Sequence, residues 1–345
     1  MRFKTLLAAL LGLLLVLGLT AACAQKEQPG GTAPKVPAKL KIGSLINEEN
    51  LPILVAQEKG YFTAENLQVE LVPMQSPVEL QSAFQSGELD GMMTDIMIAL
   101  MLKGAGVDLR ITSIALGSTP QEGRFAIVAA PNSDIMAVQD LKGKSIGISS
   151  NSIIEYVTDG ILAQAGMSPS DVEKITLAKI PVRVEMLLNN QIDAITVPDP
   201  HISNAVARGA RVIADDTTGE NLSQSVYVMT GQALSEKTDA IAGFYRAYAR
   251  AAEDINAGPD QFRGLLVSNC NIPEQIAGDY QVQHYPAPQL PAEKNVNDVL
   301  TWLKAKDLLK GDLKYADVVY PFTIFRRLDC ILEPAQEKVL ETYNK

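Results

Sequence analysis

The chain of 345 residues is long enough for two ordinary domains, and 47% of its residues are apolar, as in a packed globular protein. Its net charge of −10, and the absence of a run of Arg or Lys with interleaved aromatic residues, argue against nucleic acid as a partner. Composition therefore disfavours a disordered chain and a phosphate-binding surface.

The first 22 residues have the pattern of an export signal. Arg2 and Lys4 precede an unbroken stretch of apolar or small residues at 5–22, and Cys23 follows directly. A basic start, an apolar core and small residues before the break are typical of a secretory signal. A stretch of this length is also just able to span a bilayer, so an uncleaved anchor is the alternative. The segment resembles a bacterial lipoprotein signal, which implies that Cys23 becomes the lipidated first residue.

Residues 23–39 are predicted to form a flexible tether. Residues 24–39 contain three lysines, three prolines and a pair of glycines, without apolar periodicity. The protein is therefore expected to work outside the cytoplasmic membrane while being held close to it. In an exported chain Cys270 and Cys330 are candidates for a disulfide. Two buried thiols are the alternative, because spacing alone does not establish proximity.

Two stretches of the chain repeat the same order of elements. The first is predicted to have strands at 40–44, 69–73 and from 91, with helices at 52–59 and 78–86 between them. The second is predicted to have strands at 145–149, 175–178 and 194–197, with helices at 153–165 and 182–189. Three landmark pairs are evenly offset: Gly43 to Gly147 by 104 positions, Gly60 to Gly166 by 106, and Asp90 to Asp193 by 103.

Further strands are predicted at 109–116 and 125–129, where the chain crosses between the units, and at 225–229, where it returns. The segment after 230 is predicted to be mostly helical, with helices at 235–256 and 296–309. The fold class is therefore α/β with two lobes, each a mostly parallel sheet flanked by helices, joined by two crossing segments. We assign 40–118 plus 226–345 to lobe 1 and 119–225 to lobe 2. Ligands of such sheets bind at the carboxyl ends of the strands, so a cleft between the lobes is expected.

Residues 42–62, IGSLINEENLPILVAQEKGYF, resemble the opening of the SsuA-like solute-binding proteins of ABC importers, a family that includes nitrate, taurine and thiamine-precursor binders. The resemblance continues at 67–73, 87–95, 140–150 and 191–199, and covers roughly 40–255. It implies a type II-like periplasmic-binding-protein fold. It also implies a monomeric, non-catalytic protein that delivers a small organic molecule, such as a sulfonate or a pyrimidine-like compound, to a membrane permease and its ATPase.

Candidate ligand-binding residues in lobe 1 follow the ends of two strands. Ser44, Asn47 and Asn50 come after the first strand and can donate or accept hydrogen bonds; the alternative is a polar turn that caps the next helix. Thr94 and Asp95 end the third strand. Asp95 could accept an amine or ring N–H, or cap the helix at 96–102, and we favour the cap for its side chain and ligand contact for Thr94.

In lobe 2, Ser149, Ser150 and Asn151 lie where a strand enters a helix. Free backbone N–H groups and the helix dipole at such a place suit an anion. Ser152 and Glu155 fit the S-x-x-E capping box, so Ser152 is given a structural role.

Three charged or titratable residues of lobe 2 are also candidates for ligand contact. Arg183 follows the strand at 175–178 and could pair with a sulfonate or carboxylate, the alternative being a solvated arginine. Asp199 and His201 follow the strand at 194–197, the alternative being residues at the start of a helix.

Several chemistries lack their residues in this sequence. Gly143-Lys144-Ser145 resembles the end of a phosphate-binding loop, but Val138 replaces its first glycine. The two histidines are 83 positions apart and give no start for a metal site. The zinc-protease motif H-E-x-x-H is also absent, and no cofactor or catalytic residue is predicted. An enzyme on the same fold, similar to the fungal thiamine-pyrimidine synthases, is the alternative function, although the cysteine-rich motif of those enzymes is absent. A ligand sensor for a signalling partner is a third possibility.

The charge of the ligand is left open by these candidates. Ser150, Asn151 and Arg183 would suit an anion. The acidic residues near the predicted cleft would suit a donor-rich ring or an amine; they are Glu48, Glu49, Asp95 and Asp199. The excess of acids favours a neutral or mixed-polarity organic molecule over a small inorganic anion.

Overall fold

The computed structural model describes residues 36–320. Cys23 and Cys330 lie outside the described residues, and with them the lipidation site and the disulfide partner of the buried Cys270. Ten strands are formed: β1 Ala38–Leu45, β2 Leu67–Met74, β3 Gly91–Asp95, β4 Leu109–Leu116, β5 Phe125–Ala129, β6 Ser145–Ile148, β7 Glu173–Thr176, β8 Ala194–Pro198, β9 Arg211–Asp215 and β10 Ser225–Thr230.

The same range contains twelve α-helices and four short 3-10 helices. The α-helices are α1 Leu51–Glu58, α2 Tyr61–Ala64, α3 Pro77–Gln85, α4 Ile96–Gly104, α5 Ile153–Gln164, α6 Ile180–Leu188, α7 His201–Ala207, α8 Gly231–Glu236, α9 Thr238–Ala257, α10 Arg263–Asn269, α11 Glu293–Ala305 and α12 Tyr315–Val318. Within these residues no helix combines the length and apolarity that crossing a bilayer requires.

The strands form two five-stranded sheets with matching layouts. The first sheet has the order β2-β1-β3-β10-β4 and the second the order β7-β6-β8-β5-β9. In each sheet the fourth strand in this order, β10 or β5, runs antiparallel to both neighbours, while the other strands share one direction. The predicted two-lobed α/β fold with mostly parallel sheets is therefore confirmed.

The repeated order of elements is a structural repeat. Ile42 of β1 pairs with Gly91 of β3, and at the same place in the second sheet Ile146 of β6 pairs with Ala194 of β8. The landmark aspartates also act alike. The Asp90 carboxylate accepts a hydrogen bond from the backbone N–H of Lys41 at 2.9 Å, and that of Asp193 accepts one from the N–H of Ser145 at 2.8 Å.

The two sheets exchange one strand each. β5 follows β4 in the chain but lies in the second sheet, and β10 follows β9 but lies in the first sheet between β3 and β4. The links that make this exchange, residues 117–124 and 216–224, are called here the crossing segments. They run beside each other, since Gln224 Nε2 donates to the carbonyl oxygen of Gly117 at 2.8 Å.

Packing of α9 on the first sheet explains the periodicity of its sequence. Phe244, Tyr245 and Tyr248 are fully buried and make edge-on or tilted ring contacts with one another or with Tyr227 of β10. Burial of such rings is a large apolar contribution to stability. The predicted core-facing stripe of this helix is confirmed.

The C-terminal part is less regular than the sequence suggests. The helix predicted at 235–256 is divided at Lys237 into α8 and α9, and the one predicted at 296–309 is α11, which begins and ends earlier. No helix or strand forms at 271–292, because four prolines in this range, at 273, 286, 288 and 291, disfavour both. The strand predicted at 175–178 is also shifted, since β7 ends at Thr176.

Candidate functional site

A cavity of about 190 Å³ opens at the carboxyl ends of the strands, where the two repeated units and the crossing segments meet. This volume is below the roughly 300–1,000 Å³ of drug-sized pockets, so it suits a smaller molecule. The residues lining it come from six parts of the chain: Leu45, Asn47 and Glu49 after β1; Pro77, Leu80 and Gln81 of α3; Met93, Thr94, Asp95 and Ile98 around the end of β3; Phe125 of β5; Ile153 of α5; and Ser223, Gln224 and Ser225 before and in β10.

Asp95 lies at the junction of β3 and α4. Its Oδ1 accepts a hydrogen bond from the backbone N–H of Ile98 at 2.8 Å, so the side chain caps α4 as predicted. Burial raises the pKa of the Asp95 carboxyl to about 6, and the charge of Glu49 adds to this rise against the lowering effect of the backbone hydrogen bonds.

Glu49 lies in the loop after β1 and faces the same cavity. Burial raises the pKa of its carboxyl, while the hydrogen bond from Asn47 lowers it in part. Asn47 Nδ2 donates to Glu49 Oε2 at 2.8 Å. Ser225 lies opposite Asp95 in the β3–β10 ladder, and it lines the same cavity as the two carboxyl groups.

The remaining walls of the cavity are mostly apolar. Leu80, Met93 and Ile98 line it on the side of the first sheet. Phe125 and Ile153 line it from the second unit. Since they belong to different units, a change in the angle between the units would change the shape of the cavity.

Of the sequence-predicted residues of lobe 1, the structure brings Asn47, Thr94 and Asp95 to the cavity. Ser44 and Asn50 are buried beside it and do not line it. Ser44 Oγ and Asn50 Nδ2 both donate to the carbonyl oxygen of Leu45, at 2.9 and 2.6 Å. These bonds shape the loop that carries Asn47 and Glu49, while ligand contact by any of these residues stays a prediction.

The polar residues before α5 do not line the cavity either. Ser150 Oγ lies 2.6 Å from Thr176 Oγ1, and the backbone N–H of Asn151 donates to Glu155 Oε2 at 2.8 Å. Ser152 caps α5 as predicted, since its Oγ accepts from the N–H of Ile154. Glu155 turns back to Asn151 rather than to Ser152, so the capping box is displaced by one residue.

Arg183 is fully buried inside the second unit. Its guanidinium donates to the carbonyl oxygens of Leu177 (2.7 Å) and Thr196 (2.6 Å) and to Ser149 Oγ (2.5 Å). Burial lowers its pKa to about 10, which still leaves the group charged at neutral pH. The alternative of a solvated arginine is therefore wrong, and in this structure the fork of donors is occupied by the protein.

Asp199 precedes α7 and His201 begins it, and neither residue lines the cavity. Asp199 Oδ1 accepts from the N–H and Oγ of Ser203, and its Oδ2 lies 3.7 Å from Arg124 Nη1. Burial lowers the pKa of His201, and the charge of Arg183 lowers it further. Within residues 36–320 no three His, Cys, Asp or Glu side chains are grouped to hold a metal ion.

The crossing segments and α3 also contribute to the cavity, which the sequence did not predict. Ser223, Gln224 and Phe125 line the cavity because the crossing segments pass beside it. Gln224 is brought there by its contact with Gly117, more than a hundred residues earlier. The predicted crossing strands indicated where the chain passes between the units. They did not indicate which side chains of these segments line the cavity.

A family model described as "NMT1/THI5 like" matches residues 47–262. The chain belongs to the NMT1/THI5-like family. Among curated members, a protein of Escherichia coli named "Putative aliphatic sulfonates-binding protein" is 25% identical over 219 residues, which cover 63% of this chain and 67% of that protein.

Another relative carries the name of an enzyme. The 4-amino-5-hydroxymethyl-2-methylpyrimidine phosphate synthase of Schizosaccharomyces pombe is 29% identical over 135 residues, which cover 38% of each chain. The match thus spans well under half of that enzyme.

Among solved structures, the periplasmic aliphatic sulphonate binding protein SsuA of Escherichia coli superposes with a TM-score of 0.70. The superposition covers 82% of this chain and 92% of that one, at 20% identity. At this identity the likeness establishes a common fold, the periplasmic-binding-protein fold that the sequence predicted.

Proposed function

We propose that this chain is the solute-binding component of an ABC importer, which captures a small organic molecule in the cavity between its two units and delivers it to a membrane permease. The observation that carries the proposal is the cavity itself. It lies at facing strand ends, is lined from both units and contains polar groups that are held in place before a ligand arrives. Family membership and the relatives named for solute binding support the same role.

The proposal extends to location and anchoring. The apolar segment before Cys23 and the tether after it support export, with a lipid on Cys23 holding the protein near the permease. Expression of the full-length chain in a bacterium, followed by mass spectrometry of the membrane fraction, tests the lipid. Cys23→Ser should move the protein out of that fraction, and an unchanged distribution would contradict the lipid anchor.

The solute-binding role is tested by native mass spectrometry of the purified protein. A small molecule released on denaturation, and a rise in melting temperature when that molecule is added back, are the expected results, because a ligand that binds only the folded state stabilises it by mass action. Absence of any released molecule, together with no thermal response across sulfonates, carboxylates, amines and pyrimidines, would overturn the proposal.

A catalytic role is the second candidate, favoured by the likeness to the yeast synthase. An enzyme is distinguished from a solute-binding protein by whether it changes the bound molecule chemically. A solute-binding protein should return the molecule released on denaturation unaltered after prolonged incubation. Conversion of that molecule, abolished by Glu49→Gln or Asp95→Asn while binding persists, would favour an enzyme.

A further inference from the structure

The cavity is rich in hydrogen-bond acceptors. Glu49 and Asp95 place two carboxyl groups at its wall. The side-chain oxygens of Asn47 and Gln224, Oδ1 and Oε1, are buried without a hydrogen-bond partner. Both amides are oriented by their nitrogens, since Asn47 Nδ2 donates to Glu49 Oε2 and Gln224 Nε2 to Gly117 O.

Unpaired acceptors of this kind point to a ligand that donates. Gln224 is 5% exposed, and its oxygen has no partner although its nitrogen does. A buried acceptor left unpaired lowers stability, and a ligand N–H group that bonds to it would remove that cost. The acceptors of Gln224 and Asn47 lie in the same cavity as the two carboxylates, so one ligand can reach both kinds of group.

Positive charge is missing from the wall of this cavity. Among residues 36–320, no Lys, Arg or His lines it. Arg124, the chain neighbour of Phe125, lies against Asp199 and Asp215, and Arg183 donates to groups inside the second unit. An anionic ligand would meet two carboxylates with no counter-charge, whereas a cationic ligand would be attracted by both.

We infer that the ligand of this site is a small organic cation that carries N–H donors, an amidinium, guanidinium or primary ammonium group on an apolar body. This inference rests on the proposed solute-binding function and specifies its substrate class. Glu49 and Asp95 share the positive charge, and the oxygens of Asn47 and Gln224 accept further N–H groups. Leu80, Ile98, Phe125 and Ile153 pack against the carbon part.

The arrangement is organised before binding. The cap on α4 fixes Asp95, and the hydrogen bond from Asn47 orients Glu49. The two carboxyl groups repel each other when both are ionised, and a cation between them relieves that repulsion. Discrimination against anions therefore follows from the same two residues that attract cations.

A near-isosteric probe series tests the inference: benzamidine, benzamide, benzoate and benzenesulfonate, titrated by isothermal calorimetry into purified protein freed of bound molecules. Benzamidine is a cation with N–H donors, benzamide a neutral donor, and the other two are anions. The expected order of affinity is benzamidine, then benzamide, with the anions at least tenfold weaker than benzamidine.

Two variants test whether this order of probe affinities arises from the cavity. Glu49→Gln and Asp95→Asn should each weaken benzamidine binding about tenfold, and Asn keeps the cap on α4 because it caps as well as Asp. The exposed Glu274→Gln, which removes the same charge outside the cavity, should leave binding unchanged.

Three outcomes would overturn the inference. They are tighter binding of either anion than of benzamidine, benzamidine affinity unaltered by both cavity variants, and binding of none of the four probes. In each case the proposed solute-binding function is judged separately, by whether a molecule of any charge is released from the protein on denaturation.

Discussion

Leu80 and Arg183 occupy equivalent positions in the two repeated units, although one is apolar and the other charged. A Cβ at Gly43 of β1 would lie 2.7 Å from Leu80 Cδ1, and a Cβ at Gly147 of β6 would lie 3.1 Å from Arg183 Cγ. Each side chain thus covers the glycine of the first strand in its own unit. Leu80 also lines the cavity, whereas Arg183 does not.

Replacing Arg183 by the residue of the other unit, Arg183→Leu, should destabilise the protein by about 2–4 kcal/mol. The change leaves the carbonyl oxygens of Leu177 and Thr196 without their buried donor, and unsatisfied buried groups are costly. Urea denaturation followed by circular dichroism measures the loss. Arg208→Leu is the matched control, since Arg208 forms an exposed pair with Glu185 and should cost less than about 1 kcal/mol.

The same pair of variants separates structural from ligand-binding roles of Arg183. Because its guanidinium is occupied by the protein, ligand affinity measured under conditions where Arg183→Leu is folded should match the wild type. Unchanged stability combined with lost binding would instead assign Arg183 to the ligand.

Titration of the Asp216 carboxyl, in the second crossing segment, should lower the free energy of unfolding as pH rises. Burial raises the pKa of its carboxyl to about 6, while its Oδ1 accepts from the N–H of Phe125 at 2.7 Å. The folded-state pKa lies above the unfolded value near 3.9, so the contribution of this group is fully present below about pH 4 and is lost as pH rises through 6.

Asp216→Asn removes this titration and keeps an oxygen for Phe125. The free energy of unfolding of the variant, minus that of the wild type, should be about 1–3 kcal/mol larger at pH 8 than at pH 4. Urea denaturation at both pH values measures this difference. Glu274→Gln, an exposed change of the same charge, serves as control. A stability difference between Asp216→Asn and wild type that is the same at both pH values would contradict the pKa of Asp216.

Helix α11 joins the two units through contacts with α5. Trp302 Nε1 donates to Asp159 Oδ2 at 3.0 Å, and Lys306 Nζ donates to Glu155 Oε1 at 2.5 Å. Trp302→Phe and Lys306→Met should each reduce stability by about 1 kcal/mol. They should also enlarge the radius of gyration of the ligand-free protein in small-angle scattering, because α11 otherwise restrains the opening of the units.

Lys304→Met is the control for these contacts. It lies on the same helix, but its pair with Asp312 is exposed and does not involve α5. A radius of gyration that changes equally in Lys304→Met and Lys306→Met would show that α11 does not restrain opening.

Gly117 in the first crossing segment should tolerate a side chain much less than Gly60. Both glycines have positive φ, +86° and +71°. A Cβ at Gly117 would lie 2.5 Å from the carbonyl oxygen of Ser223, whereas one at Gly60 would meet nothing within 4 Å. Gly60→Ala should therefore cost about 1 kcal/mol through backbone strain alone, and Gly117→Ala about 2–4 kcal/mol.

Gly117→Ala should also weaken ligand binding, because Gln224 of the cavity is held by the Gly117 carbonyl. Calorimetry with the released ligand measures this effect. Equal costs of the two glycine substitutions in urea denaturation would show that the crossing segments have room to move apart.

The repeat was predictable because each of its signals is local. Gly60 and Gly166, for example, end helices with φ near +70°. Turn residues and apolar periodicity encode such features directly in the sequence. The strand at 125–129 and the return strand at 225–229 were identified by the same reasoning, and both are confirmed.

The site was predictable only where it adjoins a strand end. Asn47, Thr94 and Asp95 follow this rule, and the structure places them at the cavity. Arg183 does not follow it, because its three acceptors, at the ends of β6 and β7 and in β8, are brought together only by packing. A sequence gives no sign that a charged residue will be enclosed in this way. Gln224 was missed for the same physical reason, since its partner is distant in the chain.

The exchange of β5 and β10 has a consequence for synthesis of the chain. β4 ends at Leu116, yet the strand that bonds it to β3 begins only at Ser225. A nascent chain therefore emerges with the first sheet split, and β4 stays unattached until the whole second unit has been made. Such a connectivity delays closure of the native structure, which suits a polypeptide that is proposed to be threaded across a membrane before it folds.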